Sequence, residues 1–309
     1  MEAITNILTS NYPMRFDHLE LNRDGGSTSY IVFAGERKYF LRVVKPAFLD
    51  TAVKAVEIQA FLWEHGFPVP PLVFTRENAP CVRIGKPDGD YLCVLYEYIE
   101  GGEVDPEQDA ERLGALVGRL HCVMKDYPGD LVKRDKQFFI GRYIDILKRR
   151  QYVRVNEFSA YGEALWEKIK DLPRGYCHGD MYRGNILKTP DGGLYALDFD
   201  TSCEGFPMYD LTLICDMTEY FDFDERNYDR SNKVLSRFVP EYLKYNPLSQ
   251  AEINAFQDLI AIQHFTTQAT VMEIFGGDCL SDAELDDQLD WLYRWREQCY
   301  TYLTEKNGG

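Results

Sequence analysis

The hydrophobic pattern of this chain changes once, near residue 100, and this change restricts its fold more than any other feature of the sequence. Before it, apolar residues alternate with polar ones as they do in strands, interrupted by one helical pattern over residues 51–65. After it, apolar residues recur at helical spacing, as over residues 107–125. The sequence therefore predicts an α+β fold, in which an antiparallel sheet with one main helix precedes a mainly helical region.

Turn-forming residues separate the individual predicted elements. The predicted strands are 19–23, 29–34, 38–44, 72–76 and 91–99, with residues 77–90 as a loop. Further helices are predicted over 138–150, 160–170, 251–275 and 285–303. The predicted hinge covers residues 100–103, so we expect one domain over 1–99 and a second over 100–309.

Charge and cysteine usage narrow the classes of partner. The 309 residues include 34 basic and 50 acidic side chains, a formal charge of −16 that would repel a nucleic acid. The acidity fits a cationic partner, although acidic surfaces commonly serve solubility alone. No apolar run is long enough to cross a bilayer, and the start has no signal-peptide pattern, so we expect no membrane partner. The eight cysteines form no Cys-x-x-Cys pair and indicate reduced thiols of a cytoplasmic protein.

The stretch 176–200 combines polar residues with a predicted hairpin. Two short strands flank the turn sequence Thr-Pro-Asp-Gly-Gly. If Lys188 lies opposite Leu194, then Asn185 lies near Asp198 at the far end of the hairpin. Two oxygen ligands within reach of one cation suit Mg²⁺, which also takes substrate phosphates and waters as ligands.

Asp180 precedes the hairpin by a few residues and is a candidate proton acceptor for a substrate hydroxyl. Taken singly, each of these polar residues also has a structural interpretation as a turn former or cap, and Asp191 is such a turn former. His178 is interpreted as a framework residue. The joint spacing of Asp180, Asn185 and Asp198 around one hairpin favours a functional site.

The motif His178-Gly179-Asp180-x-x-x-x-Asn185-Ile186-Leu187, followed by Leu197-Asp198-Phe199-Asp200, resembles the aminoglycoside phosphotransferase and choline kinase superfamily. Members of that superfamily have a protein-kinase-like fold. The resemblance extends over nearly the whole chain, through the third strand around Arg42, the helix residue Glu57, the hinge segment 95–101 and the segment Tyr209-Asp210-Leu211.

The resemblance implies an enzyme that uses ATP and Mg²⁺. It implies that Asp180 orients or deprotonates the acceptor hydroxyl and that Asn185 and Asp198 hold Mg²⁺ on the ATP phosphates. It further implies that residues 1–99 form the nucleotide-binding lobe and residues 100–309 the helical lobe with the catalytic loop and acceptor site.

The nucleotide contacts implied by the resemblance come from the first lobe. Arg42, fixed by Glu57, would contact the α- and β-phosphates, and backbone groups near Glu97 and Ile99 would bind adenine. The turn of Gly25, Gly26 and Ser27 would close over the phosphates, and Asp210 would brace the catalytic loop.

The chain departs from the protein-kinase pattern at two places. Arg42 stands where lysine is usual, and a planar fork replaces a point contact there. The turn of Gly25 and Gly26 lacks the pattern Gly-x-Gly-x-x-Gly. Asp200 shares a strand face with Asp198 and is a candidate second metal ligand, but we favour a role as hydrogen-bond acceptor.

The sequence thus indicates an ATP-dependent phosphotransferase that acts on a hydroxyl of a small molecule, either aminoglycoside-like or another hydroxylated amine. The acidic and aromatic segment 216–225 would suit a cationic acceptor, and so would a second acidic cluster over 278–290, although both also fit a solvated acidic face. A homoserine- or choline-type kinase is an alternative acceptor assignment. A nucleotide-binding pseudokinase or interaction module is the alternative from another class, which the presence of Asp180, Asn185 and Asp198 disfavours.

Overall fold

The structure, a computed structural model, describes residues 2–308. Its α-helices are α1 (Glu2–Asn11), α2 (Leu49–Glu64), α3 (Pro106–Val123), α4 (Arg142–Arg149), α5 (Val155–Ile169), α6 (Pro207–Cys215), α7 (Arg226–Tyr242), α8 (Gln250–Asn254), α9 (Phe256–Phe275) and α10 (Asp282–Gly308). Its strands are β1 (His18–Asp24), β2 (Ser27–Ala34), β3 (Arg37–Val44), β4 (Val82–Lys86), β5 (Gly89–Glu97), β6 (Gly102–Glu103), β7 (Val132–Lys133), β8 (Gly175–Cys177), β9 (Ile186–Lys188), β10 (Leu194–Ala196) and β11 (Cys203–Gly205).

The chain forms two compact units that are discontinuous in sequence. The first comprises the chain up to Val104 together with Asp126–Gly129 and Arg183–Ser202. The second comprises Asp105–Lys125, Asp130–Tyr182 and the chain from Cys203 onward. The predicted class is confirmed, because an antiparallel sheet forms in the N-terminal region and helices dominate the C-terminal region.

The five-stranded sheet of the first unit has the order β1-β2-β3-β5-β4, with every neighbouring pair antiparallel. The alternation along β3 sends its side chains to two different cores. Leu41 packs with Leu8 and Tyr12, which come from α1 and the residue after its end. Val44 packs with Val56 of α2. Arg42 lies between Val44 and Phe40 on the α2 side of the strand, which places a cation among apolar neighbours as the sequence predicts.

Three elements of this unit differ from the prediction. Residues 72–76 form no strand, because only Leu72 bridges to Tyr96 before the chain turns through Asn78 at φ 60°. Strand β4 lies instead within residues 77–90, which were predicted to be a loop. The Pro-Asp-Gly sequence there forms the hairpin turn between β4 and β5, which is a recognised turn signal. Helix α1 was also not predicted.

A second, three-stranded sheet of the first unit carries the order β10-β9-β6. Lys188 pairs with Leu194 and Ile186 with Ala196, so the predicted register of the hairpin is confirmed. The end of the hairpin is also closed by a hydrogen bond of 2.9 Å from the amide of Leu197 to the carbonyl of Asn185. This closure places Asn185 beside the residue that precedes Asp198.

The second unit is built mainly from helices. Helices α3 and α7 approach so closely that a Cβ on Gly114 would lie 2.2 Å from the carbonyl oxygen of Phe238. Helix α7 was not predicted, nor was α6. The pattern predicted as one helix over residues 251–275 is divided in two at Ala255, and α8 begins with a capping box of Ser249 and Glu252. A small sheet of order β7-β11-β8 completes the unit.

Within residues 2–308, none of the helices combines the length and the apolar character that crossing a membrane requires.

Candidate active site

The catalytic loop predicted around Asp180 follows strand β8 in the second unit. The buried carboxylate of Asp210, on α6, accepts hydrogen bonds from the backbone amides of His178 at 2.6 Å and Gly179 at 2.9 Å. Gly179 has a φ of 82°, which a residue with a side chain rarely adopts. By accepting these two hydrogen bonds, Asp210 fixes the loop backbone directly before Asp180. This is the bracing role that the resemblance implies.

The same carboxylate is held in turn by a buried network. His121 Nε2 lies 3.0 Å from Asp210 Oδ2, and His121 Nδ1 lies 2.8 Å from the hydroxyl of Tyr242. His121 and Asp210 are both buried, so each bond replaces hydration that these groups have lost. The loop backbone is thus anchored to three helices, α3, α6 and α7.

Asp180 is partly buried in the second unit. Its amide lies 3.4 Å from His178 Nδ1, so His178 supports the loop as a framework residue, as predicted. Burial first, and then the charges of Asp216 and Asp180, raise the pKa of the Tyr220 phenol. Asp180 and Asp216 therefore both act on the same aromatic side chain.

The metal-ligand pair predicted from the hairpin lies in the first unit. Asn185 is buried immediately before β9, whereas the Asp198 side chain is 50% exposed. Asp198 has a left-handed backbone conformation, with φ 58° and ψ 72°. This conformation is several-fold enriched in aspartate and asparagine. The residue lies after the end of β10, so its backbone takes no part in the pairing of that strand.

The donors at this position fit a hard divalent cation. One carboxylate and one amide oxygen are too few to saturate a cation, but Mg²⁺ characteristically binds one or two carboxylates and completes its coordination with phosphates and waters. Within residues 2–308, no group of three or more His, Cys, Asp or Glu side chains could hold a metal, so a site saturated by protein ligands of these types is absent there.

Arg42 makes a different ion pair from the one predicted. Its Nη1 donates to Asp200 Oδ1 at 2.9 Å, its Nη2 donates to Asp200 Oδ2, and its Nη1 lies 3.8 Å from Asp198 Oδ1. Burial disfavours the charged guanidinium, but the hydrogen bonds and charge of Asp200 outweigh it and hold the pKa of Arg42 above its usual value.

The expected pairing of Arg42 with Glu57 is therefore corrected. Glu57 is exposed on α2, whose buried positions are occupied by residues such as Val56 and Gln59. Asp200 instead accepts the hydrogen bonds of the Arg42 guanidinium. This agrees with the role of hydrogen-bond acceptor that we favour for Asp200 over that of a metal ligand. The side-chain spacing on α2 turns Glu57 toward solvent, and no local sequence signal reports the partner of Arg42, which lies 158 residues away.

The turn of Gly25 and Gly26 is tied to strand β3 and the residues after it. Lys45 Nζ donates to the carbonyl of Gly25 at 2.6 Å and lies 3.3 Å from Asp24 Oδ1. Arg42 Nε donates to the hydroxyl of Ser27 at 3.2 Å. Two cations therefore hold the turn, Lys45 through Gly25 and Arg42 through Ser27.

The hinge residues predicted to bind adenine follow strand β5. The amide of Glu97 donates to the carbonyl of Pro71 at 2.9 Å, and the amide of Tyr98 reaches the carbonyl of Lys38 at 3.3 Å. Within the described part of the chain, no hydrogen bond involves the backbone of Ile99. Of the two predicted positions, Ile99 is thus the one with both backbone groups available to a ligand.

A polar and aromatic cluster in the second unit extends the acidic segment predicted from residue 216 onward. Burial raises the pKa of Asp216 to about 7, although its side chain keeps some exposure. Tyr220 donates to or accepts from Thr267 at 3.1 Å and accepts from Gln263 at 3.0 Å. The ring of Tyr220 lies 4.6 Å from that of His264.

The sequence does not predict that residues of α9 and α10 belong to this cluster. Burial lowers the pKa of His264 to about 3, so its ring is neutral, and it stacks on Trp291 at 3.8 Å. Gln263 Oε1 and Trp291 Nε1 are buried and have no hydrogen-bond partner among the described residues. Gln263 and His264 lie on α9 and Trp291 lies on α10. The sequence pattern of these two helices indicates only that one face of each is buried.

Several known proteins are similar to this chain in sequence. The model of the APH family, described as "Phosphotransferase enzyme family", matches residues 18–247. Homoserine kinase of Methylocella silvestris is 27% identical over 158 residues, which are 49% of this chain and 47% of that protein. Homoserine kinase of Rhodospirillum rubrum is 33% identical over 93 residues, 30% of this chain and 27% of that protein. The chain thus spans half or less of the length of these two relatives.

Solved structures show the same fold at low sequence identity. An amicoumacin kinase in complex with AMP-PNP, Ca²⁺ and Ami has a TM-score of 0.73 at 17% identity, covering 96% of this chain and 93% of that one. A microcompartment-associated aminopropanol kinase has a TM-score of 0.74 at 17% identity, covering 99% and 98%. A choline kinase from Streptococcus pneumoniae has a TM-score of 0.59 at 14% identity, covering 97% and 99%.

Proposed function

Because the chain belongs to the phosphotransferase enzyme family, we propose that it transfers the γ-phosphate of ATP to a hydroxyl group of a small molecule. The observation that carries this proposal is the closed hairpin, whose register brings Asn185 beside the segment of Asp198. Asp180 stands five residues before Asn185 on a loop that Asp210 holds rigid. A pseudokinase that only binds nucleotide would have no use for the proton acceptor Asp180.

Each residue has a distinct task in this reaction. The carboxylate of Asp180 would accept a hydrogen bond from the acceptor hydroxyl and take its proton as the bond to phosphorus forms. Asn185 and Asp198 would hold Mg²⁺, which supplies charge neutralisation on the phosphate oxygens when it is bound. Adenine would be bound through the backbone of Ile99.

The acceptor that the second unit suits best is a hydroxylated amine. Asp216 offers a carboxylate, Tyr220 offers an aromatic ring, and Gln263 Oε1 is a buried acceptor without a partner among the described residues. Carboxylate and aromatic faces together favour a cationic nitrogen. Homoserine, aminopropanol and choline, named in the proteins that this chain resembles, each combine a hydroxyl with a cationic nitrogen. Small amino alcohols, homoserine included, are therefore the proposed acceptor class, ahead of larger aminoglycosides.

The direct test is a screen for ATP-dependent phosphorylation. Small amino alcohols, choline, homoserine, aminoglycosides and uncharged polyols are each incubated with the protein, ATP and Mg²⁺, and ADP release and phosphorylated product are measured. We expect turnover with at least one hydroxylated amine and none with the uncharged polyols. A melting temperature that rises with ATP and Mg²⁺, but no turnover with any acceptor, would instead support the pseudokinase.

The pKa of Asp216 gives this proposal a pH signature. A carboxyl group with a pKa raised to about 7 is neutral below that pH and charged above it, so the affinity for an ammonium acceptor should increase as the pH rises through 7. We expect the acceptor KM to fall by about tenfold between pH 6 and pH 8. The KM is measured at saturating ATP, with the amine fully protonated over the whole range.

Asp216→Asn should remove this pH dependence and leave a KM that is high at every pH. Glu219→Gln is the matched control, because Glu219 is a neighbouring acid on the same segment but is exposed. A pH profile that is unchanged in Asp216→Asn would show that another group binds the acceptor.

The eight cysteines are all free thiols in this structure, and several are buried. We therefore propose that the protein works in a reducing compartment, the cytoplasm.

A further inference from the structure

Arg42 connects three separate pieces of the first unit. Its Nε donates to Ser27, the first residue of β2 after the glycine turn, at 3.2 Å. Its two terminal nitrogens donate to the two oxygens of Asp200. Asp200 belongs to the 3-10 turn Phe199–Thr201, directly after the metal-ligand position Asp198. The side chain of Arg42 therefore contacts both the turn of Gly25, Gly26 and Ser27 and the segment that carries the carboxylate of Asp198, the proposed metal ligand.

The two acids beside Arg42 differ in what remains accessible. The side chain of Asp200 is 18% exposed, and both its oxygens accept from the same guanidinium. The side chain of Asp198 is 50% exposed, and its nearest guanidinium nitrogen lies 3.8 Å away. Asp198 can therefore bind a cation without losing a hydrogen bond to Arg42, whereas Asp200 would have to give up the pair.

The number of donors on arginine allows this pair and a ligand at the same time. A guanidinium has five N–H groups, and the bonds to Ser27 and Asp200 occupy three of them. One N–H remains on each terminal nitrogen. A lysine carries its three N–H groups on a single nitrogen, so it contacts a carboxylate at one point, whereas arginine holds the carboxylate along one edge with two nitrogens and keeps further N–H groups. Two departures from the protein-kinase pattern thus belong together. Arginine stands where lysine is usual, and Asp200 takes the place of the helix glutamate as its partner.

We propose that Asp200 is a positioning residue for ATP, acting through Arg42, and not a second metal ligand. This inference rests on the proposed function. Asp200 fixes the orientation of the guanidinium and leaves an N–H group for the phosphates, and the bond to Ser27 places the turn of Gly25, Gly26 and Ser27 beside that group. Glu57, which is exposed on α2, has no part in this arrangement.

The test is direct titration of the protein with a fluorescent ATP analogue, which needs no acceptor. Asp200→Asn removes the charge but keeps the shape, and we expect it to weaken nucleotide binding by about tenfold or more, the scale of one charged hydrogen-bonded pair. Asp200→Glu should recover part of this loss. In an Arg42→Ala background the same Asp200→Asn change should add less than about twofold, because the two residues act as one unit. Glu57→Gln is the competing variant and should bind nucleotide like the unmodified protein.

A second measurement separates positioning from metal binding. The Mg²⁺ concentration that gives half-maximal binding is determined at saturating analogue, and it should be unchanged in Asp200→Asn. A higher Mg²⁺ requirement, or a loss that adds fully to that of Arg42→Ala, would make Asp200 a metal ligand and overturn the inference. A loss in Glu57→Gln equal to that in Asp200→Asn would also overturn it. Unmodified protein that binds no nucleotide would overturn the proposed function itself, and melting temperatures show that each variant is folded.

Discussion

Asp180→Asn is expected to lower turnover by about 10²–10⁴-fold and to leave ATP binding nearly unchanged. An amide has the shape of the carboxylate but cannot take the proton of the acceptor hydroxyl. The loop should keep its conformation, because Asp210 accepts hydrogen bonds from the backbone amides of His178 and Gly179, and these bonds do not involve the side chain that is changed. The measurement is kcat on the identified acceptor, together with the KM for ATP.

Asp171→Asn is a suitable control for Asp180→Asn, because Asp171 is an exposed aspartate of the same unit outside the site. It should behave as the unmodified protein. If Asp180→Asn retained near-normal turnover on the true acceptor, another group would have to accept the proton of the acceptor hydroxyl, and Asp180 would not be the base.

Local relationships in this chain could be predicted from the sequence because they depend on neighbouring residues. The hairpin register follows from two short strands and a turn containing two glycines, and it places Asn185 near the segment of Asp198. The alternation along β3 likewise placed Arg42 on a partly apolar face. Both features follow from the two-residue period of a strand, which needs no knowledge of the rest of the chain.

The partners of charged groups could not be predicted in the same way. Arg42 and Asp200 are separated by 158 residues, and the amide of His178 and the carboxylate of Asp210 by 32. The resemblance offered Glu57 as the partner of Arg42 but could not show that this residue is exposed. The resemblance predicts which residues form the site, whereas the folded chain determines which of them are in contact.

Missed helices have a related cause. Helix α7 contains Pro240 near its end, and proline is normally taken as a helix terminator. Its stability comes from burying residues such as Val234 and Phe238 within the second unit. Close packing with α3 at Gly114 provides the partner surface, which a window of local sequence does not contain.

The proposed metal site gives the second large expected effect, because Asp198 is the only member of the predicted ligand pair with a full negative charge. The other member, Asn185, is neutral, so it cannot hold Mg²⁺ well against the solvent once Asp198 is replaced. Asp198→Ala is therefore expected to abolish phosphoryl transfer, while the hinge and the fold remain. Alanine in the left-handed conformation of this residue also costs about 1 kcal/mol of folding free energy. Asp198→Asn separates the two effects, since asparagine tolerates that conformation but lacks the charge.

Asp191→Ala is the matched control, because it removes an aspartate from the same hairpin at the turn. Asp191 accepts hydrogen bonds from the hydroxyl of Thr189 and the amide of Gly193, so its loss should lower stability at most. Mg²⁺-dependent ATP turnover and the melting temperature are measured for all three variants. We expect Asp198→Ala and Asp198→Asn both to be inactive and Asp191→Ala to be active. The loss of activity should depend on the missing charge at residue 198 and not on the melting temperature of the variant. Equal turnover in Asp198→Asn and Asp191→Ala would contradict the metal-ligand assignment, and the hairpin could then no longer be interpreted as the centre of a kinase site.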